Sequence, residues 1–186
     1  NGEEVELTMV RRQLEIQTVE YEMLDEKTGY LEVSEFDTVT ADQFKAGLDQ
    51  LTSQGMERLV LDLRNNPGGE LNAAVAMIDY LPDGETIVSI ADKNGEGETY
   101  SSEDGHQMDL PVAILVNGNS ASASEVFTGA MKDHDRAVVV GTTTFGKGIV
   151  QSLYTLQDGS GIKLTTEHYY TPEGTDIHGA GIEPDV

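Results

Sequence analysis

Apolar residues recur along this chain at two spacings, and the switches between them mark out its elements. Val5 to Arg11 and Glu15 to Glu22 alternate apolar and polar positions, the two-residue period of a half-buried strand. Gly29-Tyr30-Leu31-Glu32-Val33 predicts another strand. From Thr40 to Gln54 the period lengthens to that of a helix, with Phe44, Leu48 and Leu51 on one face. Thr40 and Gln43 have capping-box spacing at its start, and Gly55 stands where a C-terminal stop is expected.

Two similar units follow. In the first, the apolar run Leu59 to Leu63 predicts a buried strand, Asn65-Asn66-Pro67-Gly68-Gly69 a turn, and Leu71, Ala74, Val75 and Ile78 one stripe of a helix ending at Pro82-Asp83-Gly84. In the second, Val112 to Val116 leads through Asn117-Gly118-Asn119 into a helix carrying Val126, Phe127, Ala130 and Met131. Between them, Ile87 to Gln107 reads as a loose hairpin with its tip near Asn94-Gly95. Ala137 to Val140 predicts a third buried strand. Ser152 to Leu156 and Ile162 to Thr166, on either side of Asp158-Gly159-Ser160-Gly161, predict a hairpin. Strands alternating with helices imply an α/β domain with helices packed on a sheet. No linker divides the 186 residues, so the expectation is one domain over 1–186.

Composition narrows the partners. With 11 basic and 34 acidic side chains the formal net charge is −23, which argues against nucleic acid or anionic lipid. No apolar run approaches the ~20 residues that cross a bilayer. There is no cysteine, which excludes disulfides, a Cys-bound metal and a thiol nucleophile. The chain opens at Asn1 without a methionine or a leader pattern and reads as a piece of something longer.

Candidate chemistry concentrates between Asn117 and Gln151. Ser120, Ser122 and Ser124 lie between a predicted strand and a predicted helix, where any of them fits an N-cap. The same place offers a nucleophile unpaired N–H groups and a positive dipole end, with the N–H of Ala123 next to Ser122. Lys147 stands between Gly146 and Gly148, just ahead of the apolar Ile149-Val150. A lysine held there in a dry pocket would have its pKa lowered, and its neutral amine could take a serine proton. Gly68-Gly69 fits a plain tight turn and also a backbone anion site. Gly141 to Lys147 matches most of a phosphate-binding loop, but Gly148 replaces the required Ser or Thr and a strand follows where a helix is needed. A Ser-His-Asp triad would draw on His106, His134, His168 or His178, none in a distinguishing context. No two of these histidines have metal-ligand spacing on a helix, so no metal is expected.

Taken together these blocks resemble the C-terminal processing (tail-specific) peptidase family, serine proteases with a Ser-Lys pair. The resemblance runs through Gly29-Tyr30-Leu31 with Phe36, DLRNNPGG at 62–69, NGNSASASE through Ala137, TFGKGIVQ at 144–151 and Gly179 to Asp185. It implies Ser122 as nucleophile, Lys147 as general base, and Gln151 as the group orienting the amine. It further implies an oxyanion hole from Ala123 N–H and the N–H of Gly68 or Gly69, with Asp133 at a supporting acidic position. The implied fold is that of the crotonase and Clp protease group. Protein or peptide substrates cut near their C-termini, no cofactor, and an extracytoplasmic location also follow from the resemblance. It leaves the oligomeric state undetermined. Family members usually carry a PDZ domain, and nothing in this chain reads as one. The alternative is a catalytically silent module of the same fold that binds a peptide or a lipid-like ligand.

Overall fold

A computed structural model describes residues 7–11, 16–79, 85–102 and 109–186. Nine strands and three helices alternate among them as β1 (Val19–Met23), β2 (Thr28–Val33), α1 (Thr40–Ser53), β3 (Arg58–Asp62), α2 (Leu71–Ile78), β4 (Thr86–Ala91), β5 (Gly97–Ser101), β6 (Val112–Val116), α3 (Ala123–Asp133), β7 (Ala137–Gly141), β8 (Ile149–Thr155) and β9 (Gly161–Tyr170). The α/β class is as expected, but the strands form two sheets rather than one. A five-stranded sheet runs β1-β2-β3-β6-β7, and a four-stranded sheet runs β5-β4-β9-β8.

The first sheet is parallel from β2 to β7, because its strands are joined through helices. Its register aligns Leu31, Leu61, Ile114 and Val139 in one row, all fully buried. Burial of each such side chain contributes roughly 1.5–3 kcal/mol. The second sheet is antiparallel and closed by hairpins. Helix α3 packs against both β7 and β4 and is buried at every residue from Ala123 to Met131. A helix covered on all sides is a core element, and this one presents its N-terminus to the functional site.

Several expectations need correction. Leu7 to Arg11 forms no strand; Leu7, Met9 and Val10 are exposed and pair with neither sheet. Val5 and Pro82-Asp83-Gly84 lie outside the described residues. Val39, not Thr40, caps α1. The Thr40 hydroxyl instead accepts the Asp37 N–H, while Gln43 reaches back to the Thr18 and Val19 N–H groups, so this pair ties β1 to the helix. The strand at 137–140 is an edge strand with only Val139 buried, since no further strand of the sheet covers it. Along its free side run the last residues: Asp185 and Val186 N–H both donate to the Val139 carbonyl, and Gly141 N–H donates to Val186.

Candidate active site

The two strand-turn-helix units interlock at their turns, and the lock decides which serine remains available. Asn66, fully buried, donates from Nδ2 to the Val33 carbonyl at 2.8 Å and accepts the Gly68 N–H on Oδ1 at 2.9 Å. Its backbone carbonyl receives the Ala121 N–H and the Ser124 hydroxyl. The Ser120 hydroxyl donates to the Leu63 carbonyl at 2.7 Å and accepts the Asn117 N–H. Ser120 and Ser124 are fully buried and committed to holding the turns together. Ser122 is the half-buried one between them.

Ser122 is the N-cap of α3, with φ 56° and ψ −114°. A non-glycine residue in this region costs about 1–3 kcal/mol and persists only where its surroundings hold it. Glu125 does much of the holding. Its carboxylate is fully buried and accepts four hydrogen bonds. Oε2 takes the Ser122 N–H and the Lys147 N–H, each at 2.8 Å. Oε1 takes the Thr144 hydroxyl and the Gly146 N–H, each at 2.6 Å. Four donors fill the lone-pair sites a carboxylate offers. Because one oxygen binds both, the backbone nitrogens of Ser122 and Lys147 are at most twice 2.8 Å apart. Folding therefore closes the 25-residue separation between them.

Two backbone N–H groups at the site have no acceptor among the described residues. Ala123 is the first residue of α3, and its N–H is one of the unpaired donors every helix start carries. At the facing turn, Gly68 has φ 94°, and a Cβ built on it would stand 2.5 Å from the Ala121 carbonyl oxygen and 2.8 Å from the Ser122 Cβ. Only glycine lets the turn approach the serine this closely. The Gly68 N–H is itself taken by Asn66, however, so the free donor of this turn is Gly69. A parallel bridge to Phe36 fixes Gly69: Phe36 N–H donates to Gly68, and Glu70 N–H donates to Phe36.

The lysine side is open. Lys147 and Gln151 are exposed, and neither side chain hydrogen-bonds to the other or to Ser122. The dry pocket expected around the lysine is not formed by these residues, because Gln151 lies on β8, the edge strand of its sheet. What is fixed is the backbone beneath the lysine. Thr144 N–H donates to the Ile182 carbonyl, Ile182 N–H to the Thr144 hydroxyl, and Gly179 N–H to the Gly146 carbonyl. A Cβ on Gly148 would stand 2.4 Å from the His178 nitrogen. Residues 177–182 thus form the bed on which the lysine turn rests.

Asp133 lies at the other end of α3, about 16 Å along the axis from Ser122 at 1.5 Å per residue. Its carboxylate accepts the Glu173 N–H at 2.9 Å and holds the turn after β9. Among the described histidines, His134 meets the Thr86 carbonyl and His168 meets Asp176, and none bonds to Ser122. His106 lies outside the described residues. A strand, β8, follows Lys147 where a phosphate-binding loop needs a helix. Sequence reading missed Asn66, Thr144 and Glu125; the signal for Glu125 was its capping-box spacing from Ser122.

The comparisons with known proteins agree with this geometry. Residues 27–186 match Peptidase family S41. The whole chain is 42% identical over 188 residues to a probable CtpA-like serine protease of Staphylococcus epidermidis, covering 38% of that protein. Over 89% of its length it is 44% identical to a carboxyl-terminal-processing protease of a Picosynechococcus species, covering 41% of it. The solved structure of a photosystem II D1 C-terminal processing protease superposes with a TM-score of 0.86 at 36% identity, over 94% of this chain and 49% of that one. The chain spans less than half the length of each of these relatives. With the interlocked glycine and serine turns and a family match over most of its length, the chain belongs to peptidase family S41.

Proposed function

We propose that this chain is the catalytic part of a serine endopeptidase in which Ser122 is the nucleophile and Lys147 the general base, acting on proteins or peptides near their C-termini. The observation that carries the reading is Glu125: one buried carboxylate oxygen holds the backbone of the strained serine and the backbone of the lysine together. Ser122 is also the only serine of its run whose hydroxyl is not committed to a turn.

In this mechanism the neutral Lys147 amine takes the Ser122 hydroxyl proton as the oxygen attacks the scissile carbonyl carbon. The N–H groups of Ala123 and Gly69 receive the tetrahedral oxyanion, each such donor contributing on the order of 10²–10³ in rate. The lysine ammonium then protonates the departing amine, leaving an acyl-serine. Lysine next takes a proton from water, the hydroxide attacks the ester, and Ser122 leaves with the proton returned to it. A lysine serves as base only when desolvated. Lys147 is exposed in this chain, so the cover comes from the bound substrate or from another part of a longer protein, and Gln151 then reaches the amine. Asp133 supports the site through the end of α3. The extracytoplasmic location implied by the family resemblance is part of the same proposal, to be tested by cell fractionation.

The test is cleavage of an unstructured peptide, followed by mass spectrometry. Ser122→Ala and Lys147→Ala each stop cleavage while circular dichroism and melting stay those of the parent. Undiminished turnover in either variant overturns the assignment. The open lysine favours one second reading, a silent module that binds a peptide or lipid-like ligand. That reading predicts no covalent labelling of Ser122 by a fluorophosphonate and no cleavage by the unaltered protein.

A further inference from the structure

A pocket of about 400 Å³ is lined by residues next in sequence to both halves of the candidate site. One wall begins at Glu70 and Leu71, directly after Gly69. The opposite wall includes Val150, between Lys147 and Gln151. Its floor is a face of the four-stranded sheet, where Glu98 of β5, Ile90 of β4 and Tyr169 of β9 pair in one row. Glu167 lies two residues before Tyr169, on the same face of β9. Leu71, Ile90 and Val150 give the pocket an apolar lining, while Glu70, Glu98 and Glu167 bring three carboxylates to it.

Three further features point to a ligand. No lysine or arginine lines the pocket, and none of the three carboxylates takes part in an ion pair among the described residues. Tyr169 is only 9% exposed, and its hydroxyl has no hydrogen-bond partner among the described residues. No fully buried side-chain polar atom among the described residues lacks a partner, so this hydroxyl keeps some exposure, and Tyr169 lines the pocket. Finally, Glu98 and Glu167 act on the two tyrosines that line the pocket. Burial and then the charges of Glu98 and Glu167 hold the Tyr100 hydroxyl above its ordinary pKa. Burial, then Tyr100 and Glu167, do the same to Tyr169. Uncompensated negative charge beside a deep, unpaired hydroxyl is a poor arrangement for an empty protein and a good one for a cation on an apolar stem.

We propose that this pocket receives a lysine or arginine side chain of the substrate, at a position close to the scissile bond. The aliphatic stem lies against Leu71, Ile90 and Val150. The cationic head sits among Glu70, Glu98 and Glu167 and donates one N–H to the Tyr169 hydroxyl. The net charge of −23 works in the same direction, raising the local concentration of basic segments before they dock. This subsite rests on the peptidase reading, and its test keeps the two apart.

The measurement is a set of quenched fluorescent peptides carrying lysine, arginine, citrulline or norleucine at each position around the cleavage point. Binding of the same peptides to Ser122→Ala is followed by anisotropy. At one position lysine or arginine is expected to exceed citrulline and norleucine by about tenfold or more in kcat/KM, with binding to Ser122→Ala ordered the same way. Glu98→Gln combined with Glu167→Gln brings the ratio close to one, and Tyr169→Phe lowers it severalfold. If the double variant is unfolded, Glu70→Gln and the loss of the ratio in high salt carry the test. Cleavage indifferent to charge at every position, or a ratio that survives Glu98→Gln with Glu167→Gln, overturns the subsite and leaves the peptidase reading intact. Selective binding of the lysine peptide by a protein that cuts no peptide overturns the peptidase reading and leaves the pocket. Neither cleavage nor selective binding overturns both.

Discussion

The serine half and the lysine half of the site are built in opposite ways. Ser122 stands on a helix buried from its first residue, in a backbone conformation that Glu125 and the interlocked turns enforce. Lys147 stands on a loop whose backbone is pinned by Glu125 and residues 177–182, with its side chain exposed, and Gln151 is exposed on the edge strand β8. One half is preorganised by the core. The other has its anchor in place and its side chains waiting for a neighbour. Stability and activity should therefore respond differently to substitution in the two halves.

The sharpest test of that difference is Lys147→Ala. We expect kcat/KM to fall by about 10⁴-fold or more with the melting temperature unchanged, because the side chain is exposed and holds nothing in the fold. A large drop in melting temperature would mean the lysine is structural. Glu125→Ala should strike both measures at once. Four donors lose their acceptor in the core, and an unsatisfied buried group costs about 1–3 kcal/mol. Urea unfolding should show a loss of about 3 kcal/mol or more, and cleavage should fail together with it. Intact stability in Glu125→Ala would break the picture of a carboxylate that locks serine to lysine.

Gly68→Ala comes next. The added methyl meets the Ala121 carbonyl and the Ser122 Cβ, in a backbone conformation with φ 94°. We expect about a 10²-fold loss in kcat from the displaced serine turn, with a smaller loss in stability read by thermal melting. An acid titration gives a milder effect. Lys132, together with the Val139 N–H, holds the Asp185 carboxyl below the ordinary carboxylate range. Burial pushes Asp62 up, but Arg64 and the Tyr30 hydroxyl more than offset this and bring it below that range too. Folding thus favours the ionised forms. Their contribution is complete above the ordinary carboxylate range, about pH 4, and is lost as pH falls through the lowered values. The urea midpoint should fall from about pH 5 downward and go on falling below about pH 3, and Asp185→Asn should flatten part of that slope. The smallest effect belongs to Leu153→Ser on the exposed β8–β9 hairpin, within about 0.5 kcal/mol.

Sequence reading recovered most elements because their periods are clean. Val112 to Val116 has the length and composition of a buried strand, and Val126, Phe127, Ala130 and Met131 have the spacing of a buried helical stripe. It failed where a tertiary partner decides. Leu7 to Arg11 alternates well enough, but a strand exists only where it pairs, and this segment pairs with no strand of either sheet. Thr40 and Gln43 fit a capping box, yet both side chains found better partners around β1. At the site, family resemblance pointed to the serine, lysine and glycine turns. Which glycine keeps a free N–H depended on the side chain of Asn66, and whether the lysine is covered depended on an edge strand. Spacing along the chain carries neither fact. Glu125 was visible only as a cap, because its other three partners lie about twenty residues downstream.

The bed under the lysine turn has a temporal consequence. Residues 177–182 are synthesised after both Ser122 and Lys147, and Thr144, Gly146 and Gly148 take their places only against them. A growing polypeptide therefore carries Ser122 and Lys147, the pair proposed above, well before it can align them. Under the proposed mechanism, cleavage must wait until residues 177–182 have been made and have folded against the lysine turn.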